Sequence, residues 1–144
     1  MTDIMASIGL AQLKRYDAML LRRHEIVKKY DEAFKNIGVK VLNHADENHR
    51  SSGHLYLVRV DGADVNKRNE IIVKMAEAGI ACNVHYKPLP MLTAYKNLGF
   101  DIKDYPNAYA QYENEITLPL YSRLTDEQVD YIIESFVKIV GEYK

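Results

Sequence analysis

The 144-residue chain has no tryptophan, a single cysteine and only four prolines, and 19 basic against 20 acidic residues leave a net charge of −1. A lone thiol, Cys82, makes no internal disulfide, which excludes a disulfide-stapled scaffold and favours a reducing compartment. The near-neutral balance lacks the electrostatic footprint of a dedicated nucleic-acid or anionic-membrane binder. No apolar run reaches the length of a bilayer span, and the opening residues do not read as a charged-then-apolar leader. A cytoplasmic location, with neither nucleic acid nor membrane as partner, is the expectation. Walker loops, G-x-G-x-x-G and G-x-S-x-G are also missing, so Gly62 and Gly79 read as turn and cap glycines. What is present is ordinary for one globular core: 47% apolar and 27% charged residues, with no repeat and no linker-like stretch.

The pattern predicts a long N-terminal helix from about Thr2 to Asn36, closed by Gly38. Its second half carries an apolar stripe in Tyr16, Met19, Leu20, Val27, Tyr30 and Phe34, and the basic pairs Lys14-Arg15, Arg22-Arg23 and Lys28-Lys29 read as a solvated face. The first half has almost no polar face, because Ile4, Met5, Ala6, Ile8, Leu10, Ala11 and Leu13 surround it. A helix that is apolar all round is normally buried all round, so something is expected to cover this one.

Strands are predicted at Val39–Leu42, His54–Val60, Ile80–Tyr86 and Glu115–Leu120. Between them lie a helix capped by Asp64, short helical stretches near Met91–Leu98 and after Pro106, and a last helix with a Thr125/Gln128 capping box. Strands alternating with amphipathic helices give a two-layer α/β fold with an at least partly antiparallel sheet.

Few residues suggest chemistry. His44, His49 and His54 recur every five residues beside Asp46 and Glu47, but this matches no ligand spacing, and a solvated loop is expected with no metal site. Cys82 and His85, three apart on a strand, fall on opposite faces, so Cys82 reads as a packing residue rather than a nucleophile. Most of the eleven tyrosines read as half-buried packing. One segment stands out: Val84-His85-Tyr86-Lys87-Pro88-Leu89 sets an imidazole, a phenol and an ammonium at a strand exit before a rigid turn. From these residues alone, a binding site and an ordinary polar strand end both remain open.

The opening Met1-Thr2-Asp3-Ile4-Met5-Ala6-Ser7-Ile8-Gly9-Leu10-Ala11-Gln12-Leu13 resembles a stretch of the DegT/StrS-type nucleotide-sugar aminotransferases, fold-type-one enzymes that use pyridoxal phosphate (PLP). The resemblance continues in order through His54–Val60, Ala78-Gly79-Ile80, Val84-His85-Tyr86 with Pro88-Leu89, Tyr105-Pro106-Asn107-Ala108, and Leu118-Pro119-Leu120-Tyr121 followed by Leu124–Val129. It implies the C-terminal part of such an enzyme: residues 1–37 as a helix linking to and packing on a large domain, and residues 38–144 as the small α/β domain.

The family's large domain carries the cofactor loops and the lysine that forms the Schiff base. The resemblance therefore assigns no catalytic lysine here and no cofactor to this chain alone, with PLP belonging to the complete enzyme. It implies a role in shaping the substrate cleft. His85 and Tyr86 would approach a nucleotide sugar, and Lys87 its phosphates. Ile4, Met5, Ile8, Leu10 and Leu13 would form an interface with the large domain, a separate chain carrying it, or a second copy in a homo-oligomer. The alternative it leaves is a stand-alone binding or assembly module that keeps the fold without catalysis.

Overall fold

The computed structural model describes residues 1–143; Lys144, the last residue of the 38–144 span, lies outside the described residues. The N-terminal helix forms in two pieces, α1 (Asp3–Leu13) and α2 (Tyr16–Phe34), divided at Lys14-Arg15. α1 opens on Thr2, whose hydroxyl accepts from the Met5 N–H, and none of its residues is buried. α2 by contrast sinks Ile26, Val27, Tyr30 and Phe34 into the core. After α2 the chain reverses at Gly38, whose φ of 70° is open to glycine at little steric cost.

Three strands follow in sheet order β1 (Val39–Val41), β2 (Tyr56–Val60) and β3 (Glu115–Leu118), both pairings antiparallel. The register sets Val58 opposite Ile116 and Tyr56 opposite Leu118 on the core face. It leaves Arg59 opposite Glu115, and Leu57 opposite Thr117, on the other face. α2, α3 (Val65–Glu77) and α6 (Asp126–Gly141) pack on the core face through Ile71, Met75, Val129, Ile132 and Phe136. The result is the expected two-layer fold.

The aromatic centre is Tyr30, with Tyr56 at 4.8 Å and Phe34 at 5.6 Å between ring centroids, and Phe34 meets Phe136 at 5.2 Å. Both buried phenols have partners: Tyr30 donates to the Pro119 carbonyl at 2.9 Å and Tyr56 to the Asp31 carboxylate at 2.7 Å.

Two readings are corrected on the helix-and-loop side. The basic pairs of α2 are not simply solvated: Arg22 donates to the Leu124 carbonyl at 2.8 Å and to Asp126 at 3.1 Å, and Lys29 pairs with Asp126 at 3.1 Å, clamping α2 to the start of α6. The loop after β1 is not wholly solvated either. His44 is only 7% exposed, and its ring lies parallel on Tyr56 at 5.6 Å. The loop is tied down where Arg23 donates to the Gly53 carbonyl and the His24 ring meets the Ser51 carbonyl.

The predicted strand at Ile80–Tyr86 does not form. Asn83 alone bridges to Thr117, through bonds of 3.1 and 2.8 Å. Beyond that bridge the backbone donors are taken by side chains: Val84 N–H by the Asn83 amide oxygen and His85 N–H by the Glu115 carboxylate. The next antiparallel rung would need the His85 N–H, which the Glu115 side chain already holds, so pairing stops there. The chain then turns through a 3-10 turn at Leu89–Met91, α4 (Thr93–Asn97) and a second 3-10 turn at Ile102–Asp104 into α5 (Pro106–Tyr112). α5 is held against the sheet where Arg59 donates to the Ala110 carbonyl at 2.7 Å and to the Asn114 amide oxygen at 3.0 Å.

Candidate functional site

The interrupted strand and β3 together build the site. Alternation along β3 sends Ile116 and Leu118 to the core and leaves Glu115 and Thr117 on the opposite face, against the 80–86 segment. Glu115 is only 1% exposed. One carboxylate oxygen accepts from the His85 N–H at 2.9 Å; the other accepts from the Thr117 hydroxyl at 2.6 Å. The same hydroxyl oxygen lies 2.8 Å from Nδ1 of His85. The Glu115 carboxyl is raised above its ordinary pKa by burial, and the hydrogen bonds from Thr117 and the His85 N–H and the charges nearby offset only part of that rise.

Arg68 of α3, also buried, lies over the Tyr112 ring at 4.9 Å and donates to the carbonyls of Tyr112 and Glu115 at 3.2 and 3.3 Å. It thereby ties the end of α5 to the start of β3 and sets a countercharge behind the carboxylate.

In front of this network the His85–Tyr86 peptide is cis, and the two rings meet edge to face at 4.6 Å. His85 is half-buried, Tyr86 is 72% exposed, and Lys87 is exposed and takes part in no ion pair among the described residues. The structure therefore brings together two of the three residues singled out in the segment and leaves the ammonium as a free neighbour. An anchored imidazole and an open phenol can hydrogen-bond hydroxyls and stack on an apolar ring face. Cys82 supplies no nucleophile to this site. It packs against the core, and burial pushes its thiol up to about 12, so almost no thiolate forms near neutrality.

The interface candidates Ile4, Met5, Ile8, Leu10 and Leu13 all stand exposed on α1, from 59% at Ile8 to 74% at Ile4. Other hollows are elsewhere. One of about 640 Å³ lies between α6 and the turn after α3, lined mainly by apolar residues such as Ile80, Tyr121 and Ile132. Another of about 500 Å³ lies between α2 and the His44 loop. Burial pushes the His44 ring below its ordinary pKa. No group of three or more His, Cys, Asp or Glu among the described residues could hold a metal ion, and no described helix is long and apolar enough to cross a membrane.

The described lysines do not fit the carbonyl chemistry of a PLP site. None of them is buried. Lys29 and Lys74 are raised above their ordinary pKa, first of all by hydrogen bonds to Asp126 and Glu142, the reverse of the desolvated, depressed amine that such chemistry needs.

The sequence reading missed Glu115, Thr117 and Arg68. A signal was present: two polar residues alternate with two apolar ones in Glu115-Ile116-Thr117-Leu118, within a strand that is buried throughout. Polar side chains on the second face of a buried strand need partners, and His85 was the available one.

Residues 1–137 match the DegT/DnrJ/EryC1/StrS aminotransferase family. A putative sugar aminotransferase from Streptococcus pneumoniae, Spr1654, solved in its PMP form, superposes with a TM-score of 0.97 at 58% identity, covering 100% of this chain and 36% of that one. The spore coat polysaccharide biosynthesis protein SpsC of Bacillus subtilis is 36% identical over 97% of this chain and 37% of its own length. A UDP-4-amino-4,6-dideoxy-N-acetyl-beta-L-altrosamine transaminase of Helicobacter pylori is 29% identical over 100% of this chain and 38% of its own. The chain thus spans little more than a third of these relatives, and it belongs to the DegT/DnrJ/EryC1/StrS aminotransferase family.

Proposed function

We propose that this chain forms one wall of the substrate cleft of a PLP-dependent sugar-nucleotide aminotransferase and is inactive alone. The observation that carries this reading is the His85–Tyr86 pair, with the imidazole anchored on the buried Glu115–Thr117 pair and the phenol left open. His85 and Tyr86 position the sugar through its hydroxyls and ring face, and Lys87 offers an ammonium to the diphosphate. These residues bind and orient; they break no bond. PLP, when bound in the complete enzyme, supplies the electron sink for amino transfer. Its lysine and phosphate cradle would lie in the large domain that the family resemblance implies.

Residues 1–37 act as the connection to that region and residues 38–144 as the small domain. The exposed apolar side chains of α1 dock on the complementary region, within one subunit or between subunits of a homo-oligomer in the cytoplasm. Covering one such side chain is worth about 1.5–3 kcal/mol, so five together make a strong contact even after ordering costs.

The test is the intact mass of the purified chain after equimolar PLP and borohydride, repeated with the complementary region of the pneumococcal relative supplied as a separate chain. The expected result is no stoichiometric adduct on this chain in either case, one adduct on the added chain, and sugar-nucleotide affinity of the pair that falls when His85→Ala is introduced. A single saturating adduct on one lysine of this chain would overturn the reading.

A further inference from the structure

The bonds behind His85 restrict which of its ring nitrogens carries the proton. The Thr117 hydroxyl has one hydrogen, and when Glu115 is ionised its buried carboxylate oxygen 2.6 Å away claims it. Toward Nδ1 of His85, at 2.8 Å, the same hydroxyl oxygen can then only accept. Nδ1 must therefore bear the hydrogen, and in the neutral ring Nε2 is bare. No protein group among the described residues bonds Nε2. Glu115 also holds the His85 backbone N–H, so one carboxylate fixes both the main chain and, through Thr117, the ring.

We infer that Glu115 and Thr117 are positioning residues that lock His85 as the Nδ1–H tautomer and present Nε2 as a hydrogen-bond acceptor. This inference rests on the reading of His85 as a substrate-facing group, and it narrows what that group receives. A bare Nε2 accepts from a hydroxyl or an amine and meets no hydrogen at a carbonyl or phosphate oxygen. The part of the substrate that docks against the neutral His85 ring is therefore a donor, a sugar hydroxyl or an amino substituent, rather than the diphosphate. Arg68 is the fixed charge that bears on Glu115, His85 adds one only when its ring is protonated, and Thr117 is the neutral partner. Protonation of Glu115 would reverse the chain of donors: the carboxylic acid would donate to Thr117, Thr117 to Nδ1, and the ring hydrogen would sit on Nε2. The lock therefore holds while Glu115 is ionised.

The test is nitrogen-15 NMR of the histidine rings in the full 144-residue chain, at alkaline pH where Glu115 is ionised and the rings are neutral. The expected spectrum shows His85 protonated on Nδ1 and bare on Nε2, the opposite of the form a free neutral imidazole prefers. Thr117→Val keeps the β-branched shape but removes the bridge, and should move the ring toward the Nε2–H form. Thr117→Ser should restore the lock. A wild-type ring bare on Nδ1 overturns the inference, whether or not any variant folds, and so does a folded Thr117→Val whose ring shifts match the wild type. No substrate enters the measurement. A failed lock therefore reads differently from a failed substrate role, which shows as His85→Ala leaving sugar-nucleotide affinity unchanged in the assembled pair.

Discussion

α1 and α6 are both rich in apolar residues, and their fates are opposite. α6 puts Val129, Ile132, Phe136, Ile139 and Val140 in the core, with polar residues such as Asp130, Glu134 and Lys138 turned away. α1 carries Ile4, Met5, Ile8, Leu10 and Leu13 around its circumference and buries none of them. One sheet face can cover one stripe, so a helix greasy on every side cannot satisfy itself on a two-layer domain. Apolar content alone did not decide burial. The arrangement of that content, and the surface available to receive it, did.

The widest gap between the two helices should appear in stability. Phe136→Ala empties a fully buried site beside Phe34 and should cost about 3–5 kcal/mol, a large part of the stability of a domain this size. Ile8→Ala on α1 should change the stability of the isolated chain by no more than about 0.5 kcal/mol. Urea denaturation followed by circular dichroism compares the two directly, and comparable losses would place α1 in the core.

Association reverses the ranking. Ile8→Glu with Leu13→Glu should leave the denaturation midpoint almost unmoved and abolish self-association in analytical ultracentrifugation. Unfolding of the whole domain by this pair would mean that α1 is structural after all.

The caps sharpen the contrast at smaller scale. α6 has a reciprocal box, Gln128 N–H to the Thr125 hydroxyl at 3.2 Å and Thr125 N–H to the Gln128 side chain at 3.0 Å, whereas Thr2 accepts from Met5 N–H only at 3.4 Å. Thr125→Ala should cost about 0.5–2 kcal/mol, and Thr2→Ala should be nearly silent in the same assay.

The smallest effect concerns pH. Hydrogen bonds from Lys29 and then Arg22 hold the Asp126 carboxyl below its ordinary value of 3.8. A depressed carboxylate contributes stability in full above its unfolded value, and that contribution is lost as pH falls through the folded one. Asp126→Asn should therefore remove a shallow loss of stability in the acid range below about 3.8, and leave the neutral range changed only by the missing ion pairs.

Much of this was readable beforehand where local chemistry is decisive. Asp64 and Thr125 cap their helices as their side chains dictate, Gly38 takes the left-handed conformation, and the alternation of Tyr56, Val58 and Val60 sets the inner face of β2. The segment Ile80–Tyr86 was misread because its β-forming residues say nothing about who takes the next backbone donor. Asn83 and Glu115 take those donors through their side chains, and Glu115 lies thirty residues further along the chain than His85. His44 was misread for a similar reason, since only the fold brings Tyr56 beneath its ring.

By itself the sequence determined the amphipathic helices with their caps, the strands β1, β2 and β3, their inward faces and the polar His85-Tyr86-Lys87 segment, because each depends on residues within a few positions of one another. Only the tertiary structure decided which histidine became a core residue, why the strand before Tyr86 stopped, and which groups stand behind His85. Those outcomes turn on the competition for backbone donors and buried space between segments far apart in the chain, and that competition is settled only when the segments pack.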